Sequence, residues 1–184
     1  MKRVYEELLT EHFREHRQMV FLSGPRQVGK TTLARMIDPN HLYASWDTPE
    51  FSRVIRAGAS AFHRHCFRGV LGEEQTLLIL DELHKYRKWK TFLKGYLDTH
   101  GEGRRILVTG SARLNIYKKS GDSIMGRYFP YRLHPLSSGE LLRTHIPDAL
   151  ISPPQKLEDD VLEHLFTFGG FPEPLLKANT RFYN

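Results

Sequence analysis

The feature that most constrains this chain is the glycine-bounded stretch from Gly24 to Thr32. It follows a short apolar run, Met19 to Leu22, and leads into residues with a helical pattern. This order predicts a buried strand, a tight turn and a helix. The stretch reads GPRQVGKTT and has every fixed position of the pattern G-x-x-x-x-G-K-[ST], which is typical of a loop that wraps around phosphate.

The residue types in this stretch suit that chemistry. Glycines allow the backbone to curl with its N–H groups inward, and a helix N-terminus adds partial positive charge. We expect Lys30 to reach the β- and γ-phosphates and the Thr31 hydroxyl to ligate Mg²⁺. A plain glycine turn with a solvated lysine is the alternative. The predicted nucleotide-binding residues are Gly24, Pro25, Arg26, Gln27, Val28, Gly29, Lys30, Thr31 and Thr32.

A second apolar run, Leu77 to Leu80, ends in the acid pair Asp81 and Glu82. A continuous apolar run is typical of a strand buried on both faces of a parallel sheet, and ligands bind at the carboxyl ends of such strands. We expect Asp81 to hold the Mg²⁺ that Thr31 also contacts. Glu82 is the candidate that orients or deprotonates the attacking water.

Two further stretches supply candidates for catalysis. The apolar run that begins at Ile106 ends in small polar residues, and either Thr109 or Ser111 could hydrogen-bond the γ-phosphate or the water. Arg113, just beyond, is a candidate for reaching the nucleotide. Arg127 precedes another predicted strand and is a candidate for neutralising transition-state charge, in its own subunit or a neighbouring one, with a plain surface arginine as the alternative.

Composition narrows the class of protein. The chain has 184 residues, 40% hydrophobic and 26% charged, which is ordinary for a globular protein with one full core. No apolar run approaches the length that crosses a bilayer, and the first residues lack a signal-peptide core, so we expect a cytoplasmic protein without a membrane segment. The single cysteine, Cys66, excludes an internal disulfide. The net charge of +6 suits a nucleotide or nucleic-acid partner without requiring either.

The rest of the chain predicts helices and one linker. A helix is expected from Val4 to Gln18, and another begins after Thr48, a plausible cap, and extends to Phe67. Ser137 and Glu140 have capping-box spacing. A proline-rich linker follows at residues 151–154, and then an amphipathic helix. We therefore expect a domain over residues 1–150, with the linker and the start of a helical segment over 151–184.

Two other motifs carry alternative functions. His12 and His16 lie in the pattern H-x-x-E-H, which could ligate zinc, although a solvated helix face is the favoured interpretation. The stretch from Lys85 to Asp98 interleaves basic and aromatic residues and could bind a nucleic-acid strand. Its aromatic residues fall at helical spacing, which favours packing onto the sheet with the lysines in water.

Together these motifs resemble one family, the AAA-like P-loop ATPases of bacteria and archaea in which a C-terminal domain of unknown function follows the ATPase domain. The resemblance implies a three-layer α/β/α fold with a central, mostly parallel sheet, and a strand inserted between the phosphate-loop strand and the Asp-Glu strand. It also implies ATP hydrolysis with Mg²⁺, with Ser111 as sensor, Arg127 as arginine finger and a helical lid near the C-terminus. The matching stretches are Gly24 to Leu33, Ile79 to Lys85 with Trp89, Thr109 to Ala112, Gly126-Arg127, Pro135 to Leu141 and Gly169 to Glu173.

The sequence thus predicts an ATPase that cleaves the β–γ phosphate bond, with Lys30, Glu82, Ser111 and Arg127 as catalytic candidates. The lack of a guanine-reading N-K-x-D motif favours ATP. The alternative is a nucleotide-controlled switch with little turnover that binds nucleic acid or a protein. Assembly into a homo-oligomer is also possible.

Overall fold

The structure is a computed structural model that describes residues 2–70, 76–111, 124–143, 145–146, 153 and 155–178. Its centre is a five-stranded sheet in which every neighbouring pair of strands is parallel. In chain order, the strands are β1 (Met19–Gly24), β2 (His41–Ser45), β3 (Leu77–Asp81), β4 (Ile106–Ser111) and β5 (Tyr128–Arg132).

Helices cover both faces of this sheet. They are α1 (Val4–Glu15), α2 (Lys30–Met36), α3 (Pro49–Arg56), α4 (Ala59–Phe67), α5 (Trp89–His100), α6 (Ser138–Leu142), α7 (Asp159–Phe168) and α8 (Pro172–Lys177), with a 3₁₀ turn at Leu83–Lys85. On one face, α1 and α2 contribute Leu9 and Leu33 to a core with the side chains of Val20 and Leu22. On the other face, α3, α4 and α5 pack onto Phe21 and its neighbours. The predicted three-layer α/β/α fold is confirmed.

The strand order β2-β3-β4-β1-β5 fixes where function can lie. Strand β4 lies between β1 and β3, so the inserted strand implied by the family resemblance is present. All residues of β3 are buried, as expected for a central strand covered on both faces. Because the strands are parallel, the ends of β1, β3 and β4 meet at one edge of the sheet, with Gly24 beside Ser111.

The structure corrects the predicted helix that follows Thr48. Two helices replace one, because Gly58 adopts φ +105°, a left-handed conformation that a continuing helix does not allow. Thr48 does occupy the N-cap position of α3, but its side chain makes no capping hydrogen bond. The Ser137 hydroxyl caps α6 by accepting from the Glu140 amide at 3.2 Å, whereas the Glu140 carboxylate points elsewhere.

That carboxylate forms a buried ion pair with Arg3, at the start of α1. The Arg3 Nε donates to Glu140 Oε1 at 2.6 Å, and both side chains are less than 10% exposed. The same guanidinium donates to the carbonyls of His134, at 2.8 Å, and Val28, at 3.3 Å. Arg3 therefore ties the chain's first helix to α6 and to the loop between β1 and α2.

Helices α7 and α8 form a hairpin in which the His164 Nε2 lies 2.8 Å from the Leu175 carbonyl. No residue of α7 is buried, and Phe166 is 82% exposed. The hairpin is connected to the sheet domain through Gly170, whose carbonyl accepts from the Leu136 amide at 2.7 Å. Among the described helices, none has the length and apolar character needed to cross a membrane.

Candidate nucleotide-binding site

The loop from Gly24 to Thr32 connects β1 to α2 at the carboxyl edge of the sheet. Two of its residues have left-handed backbone conformations, Gln27 with φ +61° and Gly29 with φ +95°. These conformations produce the tight curl that the glycine pattern predicts. Gly24 has an additional packing role, because a Cβ there would lie 2.4 Å from the Leu133 carbonyl oxygen. Gly24 is therefore required by the contact between this loop and the chain beyond β5.

Lys30 is the first residue of α2, and its side chain turns back along the loop. The residue is only 7% exposed, and its Nζ donates to the carbonyls of Gly24 at 3.2 Å and Pro25 at 2.7 Å. Burial lowers the Lys30 pKa, and the nearby carboxylates of Glu82 and Asp81 oppose that shift. The ammonium group thus lies in the curl of the loop and close to the acid pair.

Asp81 is the centre of a hydroxyl network. Its carboxylate accepts hydrogen bonds from Thr31 at 3.1 and 3.2 Å, from Tyr43 at 2.5 Å and from Thr109. These donors come from α2, β2 and β4, so three elements fix one carboxylate. Asp81 is 5% exposed. A buried carboxylate with three hydroxyl donors is held in a single orientation, with Thr31 beside it.

Tyr43 was not identified from the sequence. Burial is the main cause that raises its pKa, and the hydrogen bond to Asp81 adds to that shift, so Tyr43 is protonated and donates. The Arg35 guanidinium lies 3.8 Å from the centre of its ring. Period-2 alternation in β2 could place Tyr43 on one face of the sheet, but which polar group its hydroxyl meets depends on the pairing of β2 with β3.

Glu82 follows β3 in a left-handed conformation with φ +55°, unusual for a residue that is not glycine. Its amide lies 3.4 Å from the Thr109 hydroxyl, which fixes the turn. The carboxylate contacts the Lys85 Nζ at 3.3 Å, and the side chain is 25% exposed. The turn aims Glu82 away from the sheet and into the cleft described below.

Ser111 and Thr109 have different surroundings. Thr109 is fully buried and its hydroxyl is engaged by Asp81. Ser111, at the end of β4, is partly exposed, and its hydroxyl lies 3.1 Å from His84 Nε2. Burial lowers the His84 pKa, so the imidazole is held in its neutral form. Of the two residues, Ser111 is the one that pairs with Gly24, where the loop begins.

Part of this loop and Glu82 line a cleft of about 740 Å³. Its polar lining includes Lys30, Thr31, Glu82 and Lys85. Its apolar lining comes from α2, α8 and the segment before α6: Leu33, Met36, Leu136, Pro172 and Leu176. The cleft therefore combines cations and hydroxyls with apolar side chains, and α8, from beyond the predicted linker, supplies one wall.

Arg127 lies at the opposite edge of the sheet. Its carbonyl accepts from the Met19 amide at 3.0 Å, which places it at the start of β1, whereas the loop begins at the end of that strand. A six-residue strand is about 20 Å long. The Arg127 guanidinium pairs with Asp98. This distance argues against a role toward a nucleotide in its own subunit, and the role toward a neighbouring subunit stays a prediction. Arg113 lies outside the described residues.

The zinc hypothesis does not fit the environment of His12. Both ring nitrogens have partners within the protein, the Tyr131 hydroxyl at 3.0 Å and the Gln18 carbonyl at 2.8 Å. His16 stacks on Phe129, and the described part of the chain contains no cluster of three metal-ligating side chains. Burial raises the Cys66 pKa to about 12, so this thiol is unreactive at neutral pH.

The basic-aromatic stretch folds as its helical spacing predicts. Phe92, Leu93 and Tyr96 are buried in the core, and Lys94 faces solvent. The packing interpretation of α5 is therefore correct for its aromatic side.

A curled glycine loop between a strand and a helix, beside an acid pair on a neighbouring parallel strand, defines a P-loop nucleoside-triphosphatase fold. Within this class, residues 16–142 match the model of a family described as an AAA domain. The chain belongs to this AAA-domain family. No curated protein is similar enough in sequence to match the chain.

Several solved structures share the fold. Aquifex aeolicus DnaA bound to AMPPCP has a TM-score of 0.55 at 14% identity, and the match covers 96% of this chain and 59% of DnaA. Aeropyrum pernix ORC1 in complex with DNA has a TM-score of 0.52 at 14% identity, over 74% and 46%. C. elegans PCH-2 has a TM-score of 0.51 at 15% identity, over 97% and 60%. The chain thus spans 46% to 60% of the length of these proteins.

Proposed function

We propose that this chain binds ATP with Mg²⁺ and hydrolyses its β–γ phosphate bond. The observation that carries this proposal is the junction of α2 and β3, where Thr31 lies 3.1 Å from Asp81 and Lys30 is buried in the adjoining curl. A triphosphate tail along residues 24–32 would meet inward N–H groups, a helix N-terminus and one ammonium group.

The residues fit a magnesium ion. Mg²⁺ prefers hard oxygen ligands and keeps several waters, so one hydroxyl and one nearby carboxylate suit it. Thr31 Oγ1 and the Asp81 carboxylate are such a pair. When bound, Mg²⁺ would supply charge neutralisation for the phosphates. This chain's own residues would fix the orientation of the Asp81 carboxylate, through the hydroxyls of Tyr43 and Thr109 that donate to it.

Glu82 is the proposed base for the attacking water. Its carboxylate lines the cleft and is partly exposed, so a water molecule can reach it and transfer a proton to it. Ser111, at the same edge, is the proposed sensor that hydrogen-bonds the transferred phosphate. We propose that the base contacts the apolar lining of the cleft. ATP rather than GTP is proposed because the sequence has no N-K-x-D motif.

The calorimetric test compares the parent with Lys30→Ala. We expect ATP with Mg²⁺ to bind the parent and to bind Lys30→Ala about 100-fold more weakly, because the variant loses the one buried ammonium group of the loop. Lys156→Ala is the matched control, since this lysine is 81% exposed and lies outside the cleft. Absence of heat from any nucleoside triphosphate with the parent would refute the proposal.

Tyr43→Phe tests the metal arrangement separately. We expect the Mg²⁺ concentration for half-maximal ATP binding to rise roughly five- to tenfold, because one hydrogen bond to the Asp81 carboxylate is lost. Affinity for ATP in EDTA should not change. A fluorescent ATP analogue titrated at several Mg²⁺ concentrations measures both quantities. Tyr5→Phe is the control, because the Tyr5 hydroxyl donates to the Arg132 carbonyl. An unchanged Mg²⁺ dependence in Tyr43→Phe would contradict the arrangement.

A second candidate is a nucleotide-controlled switch with little turnover. The observation that favours it is the contribution of Pro172 and Leu176 of α8 to the cleft, so that a bound nucleotide would contact the hairpin directly. The partner would be nucleic acid or a protein, and the similar ORC1 structure is a complex with DNA. Turnover no faster than that of a Glu82→Gln variant would favour the switch. The cytoplasmic location, a homo-oligomer and the division at residues 150 and 151 stay predictions.

A further inference from the structure

Charge is distributed unevenly between the layers of this protein. Residues 49–70 and 82–100, which include α3, α4, the 3₁₀ turn and α5, contain nine Lys and Arg but three Asp and Glu. The whole chain contains 27 Lys and Arg and 21 Asp and Glu, so the rest of the chain has 18 residues of each charge. The entire net charge of +6 therefore resides in one helical layer.

The three acids of this layer are all engaged. Glu50 lies 3.0 Å from His65, Glu82 lies 3.3 Å from Lys85, and Asp98 pairs with Arg127. Seven exposed cations of the layer form no ion pair with any carboxylate of the residues that the structure describes. They are Arg53, Arg56, Arg64, Arg68, Arg87, Lys88 and Lys94.

The helices that carry most of these cations pack side by side. Phe62 of α4 packs edge-to-face on Phe92 and Tyr96 of α5, with ring centres 5.5 and 5.6 Å apart, and α3 packs on α4. Helix α5 has 12 residues and is about 18 Å long, and packed helices lie about 8–10 Å apart. Five of the seven cations are arginines, whose planar guanidinium groups match phosphate geometry.

The chemistry of this layer distinguishes between classes of polyanion. A protein interface needs apolar or aromatic anchors at its centre, and the exposed large hydrophobic side chains of the described residues all lie outside α3, α4 and α5. Single-stranded nucleic acid needs aromatic faces on which bases stack. Here Tyr86 instead stacks on Trp46 with ring centres 4.7 Å apart, and the Arg56 guanidinium lies over that Trp46 ring. A duplex requires only cations along its phosphate backbone.

We propose that the exposed cations of α3, α4 and α5 form a binding surface for the phosphate backbone of double-stranded nucleic acid. The surface is continuous with the nucleotide site. Lys85 bridges Glu82 and Asp47, at 3.3 and 2.6 Å, and the next basic residues, Arg87 and Lys88, belong to the surface. A duplex contact there would shift Lys85 and change the freedom of the Glu82 carboxylate, so phosphate release would respond to the duplex. This coupling rests on the proposed ATPase function, whereas binding does not.

Fluorescence anisotropy of a labelled 20-base-pair DNA, without nucleotide, tests the surface. The variant Arg64→Gln/Arg68→Gln/Lys88→Gln/Lys94→Gln removes four of its cations. We expect binding by the parent at 50 mM salt and an affinity at least about 30-fold lower in the variant. The slope of log affinity against log salt should fall by about 3 to 4, the value for four phosphate contacts.

The matched control removes four exposed cations from other parts of the chain, Arg14→Gln/Arg17→Gln/Arg132→Gln/Lys156→Gln, and should retain most of the affinity. Thermal unfolding and ATP calorimetry show whether both variants keep the parent fold and nucleotide site, which separates this proposal from the proposed ATPase function. Failure of the parent to bind the duplex, an equal loss in the control, tighter binding of the single strand, or equally effective competition by polyglutamate would each overturn the proposal.

Discussion

A Glu82→Gln variant is expected to bind ATP with Mg²⁺ within a few-fold of the parent affinity and to release phosphate on the order of 10³-fold more slowly. The amide has nearly the same shape as the carboxylate but cannot accept the proton of the attacking water, and general-base catalysis contributes about 10² to 10⁴-fold. The hydrogen bonds of Lys30 to the loop carbonyls and of Thr31 to Asp81 do not involve Glu82, so binding should persist. Calorimetry and a phosphate-release assay measure the two quantities.

Glu163→Gln is a suitable control because this glutamate lies on α7, outside the cleft. Glu82→Asp adds a geometric test, since the shorter carboxylate keeps the charge but withdraws it by one methylene, and an intermediate rate is expected. Equal phosphate release by the parent and Glu82→Gln would show that Glu82 is not the base. If ATP binding were retained in that case, the nucleotide site would still be supported, and the switch would be favoured over the ATPase.

The second large effect concerns folding. Arg3→Ala and Glu140→Ala are each expected to lower the free energy of unfolding by about 3–5 kcal/mol, because each leaves the other charge buried without its partner. For a chain of this size, that corresponds to a fall in Tm of about 10 °C. Arg3→Ala also removes donors from the carbonyls of Val28 and His134. Circular dichroism during thermal and urea unfolding measures both variants.

The double variant Arg3→Met/Glu140→Leu separates the charge from the packing. Apolar residues of similar volume remove both charges together, so we expect the double variant to be more stable than either single alanine variant. Lys156→Ala, which breaks an ion pair whose side chains are more than 80% exposed, should cost less than about 1 kcal/mol. A stability loss in Arg3→Ala no larger than in Lys156→Ala would contradict the structural role of this pair.

Local sequence patterns determined much of what could be predicted. Two stretches predict both structure and site from about ten consecutive residues each: the loop from Gly24 to Thr32 and the strand that ends at Asp81. In each, an apolar run is followed by turn residues and by candidate site side chains. The parallel sheet follows from those runs, because strands covered on both faces lose the polar alternation. The helix from Trp89 was also predictable from a local pattern, because its aromatic residues recur at helical spacing.

Other features depended on contacts between distant segments. Arg3 lies 137 residues from Glu140, and a charged residue near the first helix is usually solvated, so nothing in the sequence distinguished it. The Tyr43 hydroxyl could be linked to Asp81 only after β2 was known to pair with β3. The sequence left open whether Arg127 acts in its own subunit or in a neighbouring one, because it shows that a strand follows but not at which end of the sheet that strand starts.

The lining of the cleft comes from two stretches of chain that are far apart in sequence. Gly29 and Leu33 belong to the loop and helix that follow β1, whereas Pro172 and Leu176 belong to α8. The Pro172 ring lies 3.8 Å from where a Cβ on Gly29 would be. A ligand bound there would contact both the sheet domain and the hairpin. Its binding and release would therefore change how α8 packs on the domain.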